Sequence, residues 1–247
     1  MAPVPSPGVP PVKGRARAIE NPLISVVMPA YNERETIDEI VRRVVAVPLR
    51  LELIVIDDRS TDGTRELLQD LQRELGFTLV LQPANEGKGA ALRAGFDKVA
   101  GDIVVIQDAD LEYSPEEYPD LVELICSGHA DVVYGSRFLG RHRVFLFTHY
   151  AGNRALTLLT NVLYNTMLTD METCFKAMRV EVLRSMTLRS NRFGIEPELT
   201  AKIFKRGYRV YEVPITYDGR GYSEGKKITW RDGIVAIWTL LKYRFSE

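Results

Sequence analysis

From residue 23 to residue 107 the chain alternates short apolar runs with stretches of helical spacing. Residues 23–29 form an apolar run closed by Pro29 and the polar loop Tyr31-Asn32-Glu33, which predicts a first strand. Residues 36–47 place Ile37, Ile40, Val41, Val44 and Val45 at helical spacing, and Pro48 stops them. The pattern repeats as strand 51–56, a helix ending near Leu75, strand 77–82, helix 90–99 and strand 103–107. Ser60-Thr61-Asp62-Gly63-Thr64 has the chemistry of a turn and a helix N-cap. Such alternation predicts a single α/β domain with a Rossmann-like, mostly parallel sheet covered by helices on both faces.

The second half is less regular. It predicts a helix after Ser114-Pro115-Glu116-Glu117, a strand at 131–137, a loop at 138–147 and helices at 153–168 and 199–206. A strand at 208–217, a Gly/Lys-rich loop at 218–227 and a C-terminal helix complete it. The expected division is a disordered Pro-rich leader (1–22), the α/β domain (23–229) and an amphipathic helix (230–247). That helix is apolar at Ile234, Ile237, Trp238 and Leu241 and basic at Lys242 and Arg244.

Composition narrows the classes. The 247 residues are 45% hydrophobic and 26% charged with net charge -1, so there is no basic footprint for nucleic acid and any anion site is local. Cys126 and Cys174 match no zinc or disulfide spacing, and His129, His142 and His149 show no ligand spacing, which fits a reducing cytoplasm. No apolar run approaches the ~20 residues needed to span a bilayer. The leader, with Lys13, Arg15 and Arg17, lacks the apolar core of a signal peptide and suits at most a peripheral contact with anionic headgroups.

Against this background the carboxylates at strand ends stand out. The run 104–107 ends in Asp108, Asp110 and Glu112, the strand before it in sequence order but one ends in Asp57-Asp58, and Glu33 follows the first strand. A single such end is also what a solvated turn looks like. Together, on one rim of a parallel sheet, they point to a nucleotide site, because ligands bind there. Asp108 and Asp110 are hard oxygen ligands for Mg²⁺ or Mn²⁺ shared with phosphates. Glu86-Gly87-Lys88-Gly89 opens a helix and offers backbone amides and an ammonium to phosphate, without a P-loop or a dinucleotide fingerprint. Arg137, Arg220, Lys226 and Lys227 follow predicted strands and can balance a diphosphate. Asp170 is a candidate base, Glu198 a helix-dipole carboxylate, and Glu196 remains open.

These motifs resemble the inverting family 2 glycosyltransferases of the GT-A fold. The resemblance runs through Val27-Met28-Pro29-Ala30-Tyr31-Asn32-Glu33, Asp57-Asp58-x-Ser60-Thr61-Asp62-Gly63-Thr64, Gly87-Lys88-Gly89-Ala90, Gln107-Asp108-Ala109-Asp110-Leu111-Glu112 and Gly135-Ser136-Arg137. With Asp170-x-Glu172-Thr173-Cys174-Phe175-Lys176 and Gly219-Arg220 following, it is similar to the branch of dolichyl- and polyprenyl-phosphate mannose and glucose synthases. The resemblance implies a nucleotide-sugar donor of the GDP-mannose or UDP-glucose type and a divalent metal at Asp108 and Asp110, with Glu112 assisting. It also implies donor contacts from Pro29, Tyr31, Glu33, Asp57, Asp58, Lys88 and Lys226, and phosphate handling by Arg137 and Arg220. Thr173-Cys174-Phe175-Lys176 stands where the mannose synthases have Ser-Gly-Phe-Arg, and no arginine precedes Arg154 in the segment 145–153.

The chemistry then divides. A polyprenyl phosphate attacks as an anion and needs no base; a sugar or other hydroxyl needs one, and Asp170 is the candidate. A binding-only subunit for nucleotide-sugars and a nucleotidyltransferase are the alternatives outside this class. The nucleotide, the sugar and the oligomeric state stay open.

Overall fold

The computed structural model describes residues 16–143, 146–219 and 230–246. The described strands are β1 (Ile24–Ala30), β2 (Leu51–Asp57), β3 (Thr78–Leu81), β4 (Ile103–Ile106), β5 (Val132–Ser136), β6 (Lys176–Arg179) and β7 (Val210–Pro214). They form one sheet in the order β3-β2-β1-β4-β6-β5-β7. All neighbouring pairs are parallel except those of β6, which runs antiparallel to both β4 and β5. The helices are α1 (Ile37–Ala46), α2 (Thr64–Leu75), α3 (Lys88–Phe96), α4 (Tyr118–Cys126, entered through a 3-10 turn at Pro115–Glu117), α5 (Phe147–Tyr164), α6 (Val180–Arg184), α7 (Ile195–Lys205) and α8 (Trp230–Phe245).

The sheet is buried on both sides because successive strand residues face opposite ways. Val26 and Met28 of β1 pack into a core with Ile40, Val44, Leu68 and Tyr118, while Val27 packs into a second core with Ile56, Leu92, Val104 and Leu199. This is the two-sided α/β architecture expected from the alternation.

The differences from the pattern have local causes. Strand β6 is not legible because Lys-Ala-Met-Arg is no apolar run, yet all four residues are buried. Lys176 is ion-paired with Glu196, and the Arg179 guanidinium donates to the Arg17 and Ile125 carbonyls at 2.8 and 2.7 Å. Helix α5 starts at Phe147, well before residue 153, and α7 starts at Ile195 with Pro197 in its first turn, where no intrahelical donor is lost. Residues 16–19, expected within a disordered leader, are pinned to the end of α4: Ala16 N donates to Gly128 O and Ile19 N to Cys126 O. Residues 1–15 lie outside the described residues. Helix α8 packs on α5 and α7 through Ala236, Thr239, Leu240 and Tyr243, and the Tyr164 hydroxyl donates to Leu240 O at 2.7 Å.

Candidate functional site

The chain lays β1, β2 and β3 outward and then crosses back to place β4 on the other side of β1. Loops diverge at that point, and the rim between β1 and β4 is where a doubly wound sheet opens a ligand crevice. The register Ala30 opposite Asp57 and Val27 opposite Ile106 sets the ends of β2, β1 and β4 side by side. Asp57, Glu33, Asp108 and Asp110 therefore share one rim, as expected.

Their side chains do different things. Asp57 is buried, receives Arg65 Nε at 2.5 Å and the Ser60 amide at 3.2 Å, and Arg65 also donates to Gln82 O at 2.6 Å. The two Asp58 oxygens accept from the Glu86 and Gly87 amides at 2.9 and 2.8 Å, which tethers the Gly-rich loop; burial pushes its carboxyl up despite those bonds. The loop after β1 is fixed by Glu33 N on Thr64 Oγ1 and by Thr36 Oγ1 on Ala109 O, at 2.9 and 2.8 Å. Tyr31 stays 37% exposed at the mouth and Pro29 is half-buried behind it.

Gly87 needs its lack of a side chain twice over. Its φ is +97°, and a Cβ there would lie 2.7 Å from Asn191 O. The loop can thus lie flat on segment 190–192, where Ala90 N donates to Asn191 O at 3.0 Å. Lys88, at the start of α3, consequently projects onto the rim. Its Nζ is 2.6 Å from Asp108 Oδ1 and 3.6 Å from Glu196 Oε1. Lys176 Nζ holds the other Glu196 oxygen at 2.5 Å and donates to the Met171 and Thr173 carbonyls. Burial pushes the Asp108 carboxyl up, but Lys88 outweighs it and holds the group below the usual carboxylate range; Asp108 in turn keeps the buried Lys88 charged.

Beyond Asp108 the backbone turns through Leu111 at φ +62°, a conformation disfavoured for a leucine and characteristic of functional loops. Asp110 Oδ1 accepts from Glu112 N at 3.2 Å. Glu112 Oε2 receives the Tyr217 hydroxyl at 2.6 Å, and among the described residues no three Asp, Glu, His or Cys side chains converge as a metal site. Asp108 and Asp110 still fit a hard cation that keeps waters and takes further oxygens from a diphosphate.

Arg137, leaving β5, forms a fork with Asp170: Nε to Oδ2 and Nη2 to Oδ1, both 2.7 Å, with the Arg137 amide on Oδ2 at 3.0 Å. Burial would lower the guanidinium pKa, but Asp170 keeps it charged. The guanidinium also lies over the Tyr217 ring, 5.2 Å from its centroid. Asp170 is fully buried and both its oxygens are engaged by Arg137, so in this structure it holds the guanidinium in place. Glu198 does not serve the helix dipole alone. It is buried and accepts from the Arg189 and Ser190 amides and from Lys202. Arg220, Lys226 and Lys227 lie outside the described residues.

Sequence reasoning missed Arg65, Tyr113 and Tyr217, and gave Lys176 a place within the 170–176 motif without a role. The signal for Lys176 was a lysine between Phe175 and Ala177, next to acids it could neutralise. Tyr113 stacks on Phe175 at 5.3 Å and meets the Tyr217 ring tilted by 46° at 5.3 Å; Arg137 lies over Tyr217. A cleft of about 650 Å³ opens on the far side of the Gly-rich loop, between Asn85, Glu86, Arg192 and Val235, and does not include the Asp108–Asp110 pair.

Glu172 sits among these charges with Oε1 accepting no hydrogen bond from the described residues. Burial, with Glu196 and Asp170 adding to it and Lys176 and Arg137 opposing, pushes its carboxyl from 4.5 to about 7. The folded protein then holds a proton that the unfolded chain has released, so stability falls as pH rises from about 4.5 to about 7. Glu172→Gln is expected to stabilise by about 1–3 kcal/mol at pH 8 and by almost nothing at pH 4.5. Thermal unfolding at the two pH values checks this; an equal gain at both would mean that Glu172 ionises normally.

The family model described as Glycosyl transferase family 2 matches residues 25–187. The chain is 31% identical over 234 residues to a dolichol-phosphate mannosyltransferase of Pyrococcus furiosus, covering 89% of this chain and 64% of that protein. It is 32% identical over 212 residues to an undecaprenyl-phosphate 4-deoxy-4-formamido-L-arabinose transferase of Edwardsiella ictaluri, covering 82% of this chain and 62% of that one. It thus spans less than two thirds of either relative. Among solved structures it is similar to glucosyl-3-phosphoglycerate synthase of Mycobacterium tuberculosis bound to Mn²⁺, UDP and phosphoglyceric acid, with TM-score 0.72 and 25% identity over 92% of this chain and 80% of that one. The same synthase with Mg²⁺ and UDP superposes with TM-score 0.70.

Proposed function

Since this chain belongs to glycosyl transferase family 2, we propose that it transfers a hexose, with inversion, from a nucleotide-sugar to a polyprenyl phosphate. Asp108 and Asp110 would hold Mg²⁺ or Mn²⁺ against the donor diphosphate, with Tyr31, Glu33 and Asp57 along the nucleoside. The bound cation would supply charge to the departing diphosphate oxygens. Lys88, 2.6 Å from Asp108 Oδ1, would add positive charge near the same diphosphate. Arg137, preorganised by Asp170 and stacked on Tyr217, presents a fixed cation to phosphate on the acceptor side. An acceptor phosphate oxygen is anionic near neutral pH, so the reaction needs no base, which agrees with Asp170 being fully engaged.

The observation that carries the acceptor is an apolar face beside the site that the described residues leave exposed. Helix α5 underpins segment 169–171, where Thr157 Oγ1 accepts from Met171 N at 3.2 Å and Arg154 donates to Thr169 O at 3.1 Å. Its outer side exposes Phe147 (78%) and Val162 (72%), and the neighbouring α8 exposes Trp230 (73%) and Trp238 (66%). Patches of this kind mark interaction surfaces. The two helices carry Arg154, Arg231, Lys242 and Arg244 against Asp232, which suits an anionic bilayer surface, and no described helix is long and apolar enough to cross a membrane. The protein would act from the cytoplasmic face.

Release of nucleoside diphosphate from GDP-mannose or UDP-glucose should depend on both undecaprenyl or dolichyl phosphate and Mn²⁺; turnover without any lipid phosphate, but with a hydroxyl acceptor, would refute the lipid assignment. Binding to anionic vesicles should weaken on the order of tenfold in Trp230→Ala/Trp238→Ala, the loss from burying less indole surface. Unchanged co-sedimentation would remove α8 from the membrane contact. A second reading has one observation in its favour. Glu172, pushed up to about 7, is suited to take a proton from a hydroxyl acceptor.

A further inference from the structure

Lys88 occupies the charge of the very carboxylate assigned to the metal. Its ammonium lies 2.6 Å from Asp108 Oδ1, a contact a divalent cation on that carboxylate would oppose by direct repulsion. We propose that Lys88 is a resident counter-ion of the metal pair, and that Glu196 is the acceptor to which it withdraws when a divalent cation binds. This rests on the reading of Asp108 and Asp110 as the metal pair.

Glu196 is built for such a handover. It projects from the first turn of α7 and is 3% exposed. Its Oε2 is fixed by Lys176, whose own position is set by the Met171 and Thr173 carbonyls. Its Oε1 is buried and accepts no hydrogen bond among the described residues, although Lys88 Nζ is only 3.6 Å away. A buried carboxylate oxygen without a donor is costly, and that cost persists only while Lys88 stays with Asp108. A shift of the ammonium by about 1 Å brings it into hydrogen-bond range of Oε1.

The backbone does not have to move. Gly87 and Ala90 lock the loop onto segment 190–192, so the motion is confined to the flexible lysine stem. Lys88 thus has a carboxylate on either side, 2.6 and 3.6 Å away, and a cation that binds only the form with Asp108 released shifts the population toward the Glu196 contact. Glu196 is then a positioning residue: it acts on the metal through Lys88. Simple electrostatics would make the two side chains independent, whereas a handover makes Glu196 matter only while Lys88 is present.

Titration of the full chain with Mn²⁺ alone, by calorimetry, separates these cases. Lys88→Met should bind Mn²⁺ on the order of tenfold more tightly than the parent, and Glu196→Gln several-fold more weakly, with no effect of Glu196→Gln in the Lys88→Met background. Lys88→Gln, which keeps a donor on a shorter stem but no charge, should behave like Lys88→Met and serves if that variant does not fold. Unchanged or weaker Mn²⁺ binding in both lysine variants overturns the proposal. So does a Glu196→Gln penalty of the same size in both backgrounds, which is what loss of a merely structural carboxylate would give. Asp108→Asn distinguishes the underlying reading: Mn²⁺ binding that survives it overturns the metal pair itself, whereas binding lost in Asp108→Asn but indifferent to Lys88 overturns only the handover.

Discussion

Asp110→Asn is expected to lower metal-supported release of nucleoside diphosphate by about three orders of magnitude, the scale of removing one preorganised charge-stabilising group from a transition state. The side chain lies on the rim between β1 and β4, past the end of a fully buried strand, where the donor diphosphate is proposed to sit. Asparagine keeps the shape and can still accept the Glu112 amide bond, so the melting temperature should stay within a few degrees of the parent. The measurement is a coupled assay for nucleoside diphosphate across a Mn²⁺ series. Activity within tenfold of the parent at saturating metal would show that the metal is held elsewhere. Asp108→Asn is the less clean variant, because it also strips Lys88 of its nearest partner.

Much of this site was readable because β-strands in a doubly wound sheet announce themselves as apolar runs, and their ends carry the chemistry. Strands β1, β2 and β4 and the rim residues Glu33, Asp57, Asp108 and Asp110 follow from that alone. What periodicity hides is where a polar residue is buried by a partner remote in sequence. Strand β6 was invisible because Lys176 and Arg179 read as surface, and partners remote in sequence, among them Glu196, Ile125 and Arg17, make their burial tolerable. Asp58 and Asp57 are adjacent in sequence, yet one tethers the Gly-rich loop and the other binds Arg65, a division set by which way successive residues face. Glu112, which the resemblance placed beside the metal, follows the left-handed Leu111 and takes the hydroxyl of the distant Tyr217, a partner no local pattern shows.

Asp170→Ala should be the most destabilising single change in the site, by about 3–5 kcal/mol, because it leaves the buried Arg137 guanidinium without its partner. For a chain of this size that is a fall in melting temperature of roughly 10 °C. Arg137→Met/Asp170→Ala should recover part of the loss, since removing both charges abolishes the uncompensated one. Asp170→Asn separates the pair's two conceivable roles. An amide oxygen can still accept from Arg137 Nε, so the fork is loosened and not erased. If Asp170 positions Arg137, this variant loses stability and weakens the apparent KM for the phosphate acceptor while turnover without acceptor is little changed. If Asp170 were a proton acceptor, the same variant would keep its melting temperature and lose kcat, with the low-pH limb of the rate profile abolished. The bidentate geometry, with both oxygens committed to a buried arginine, favours the first outcome.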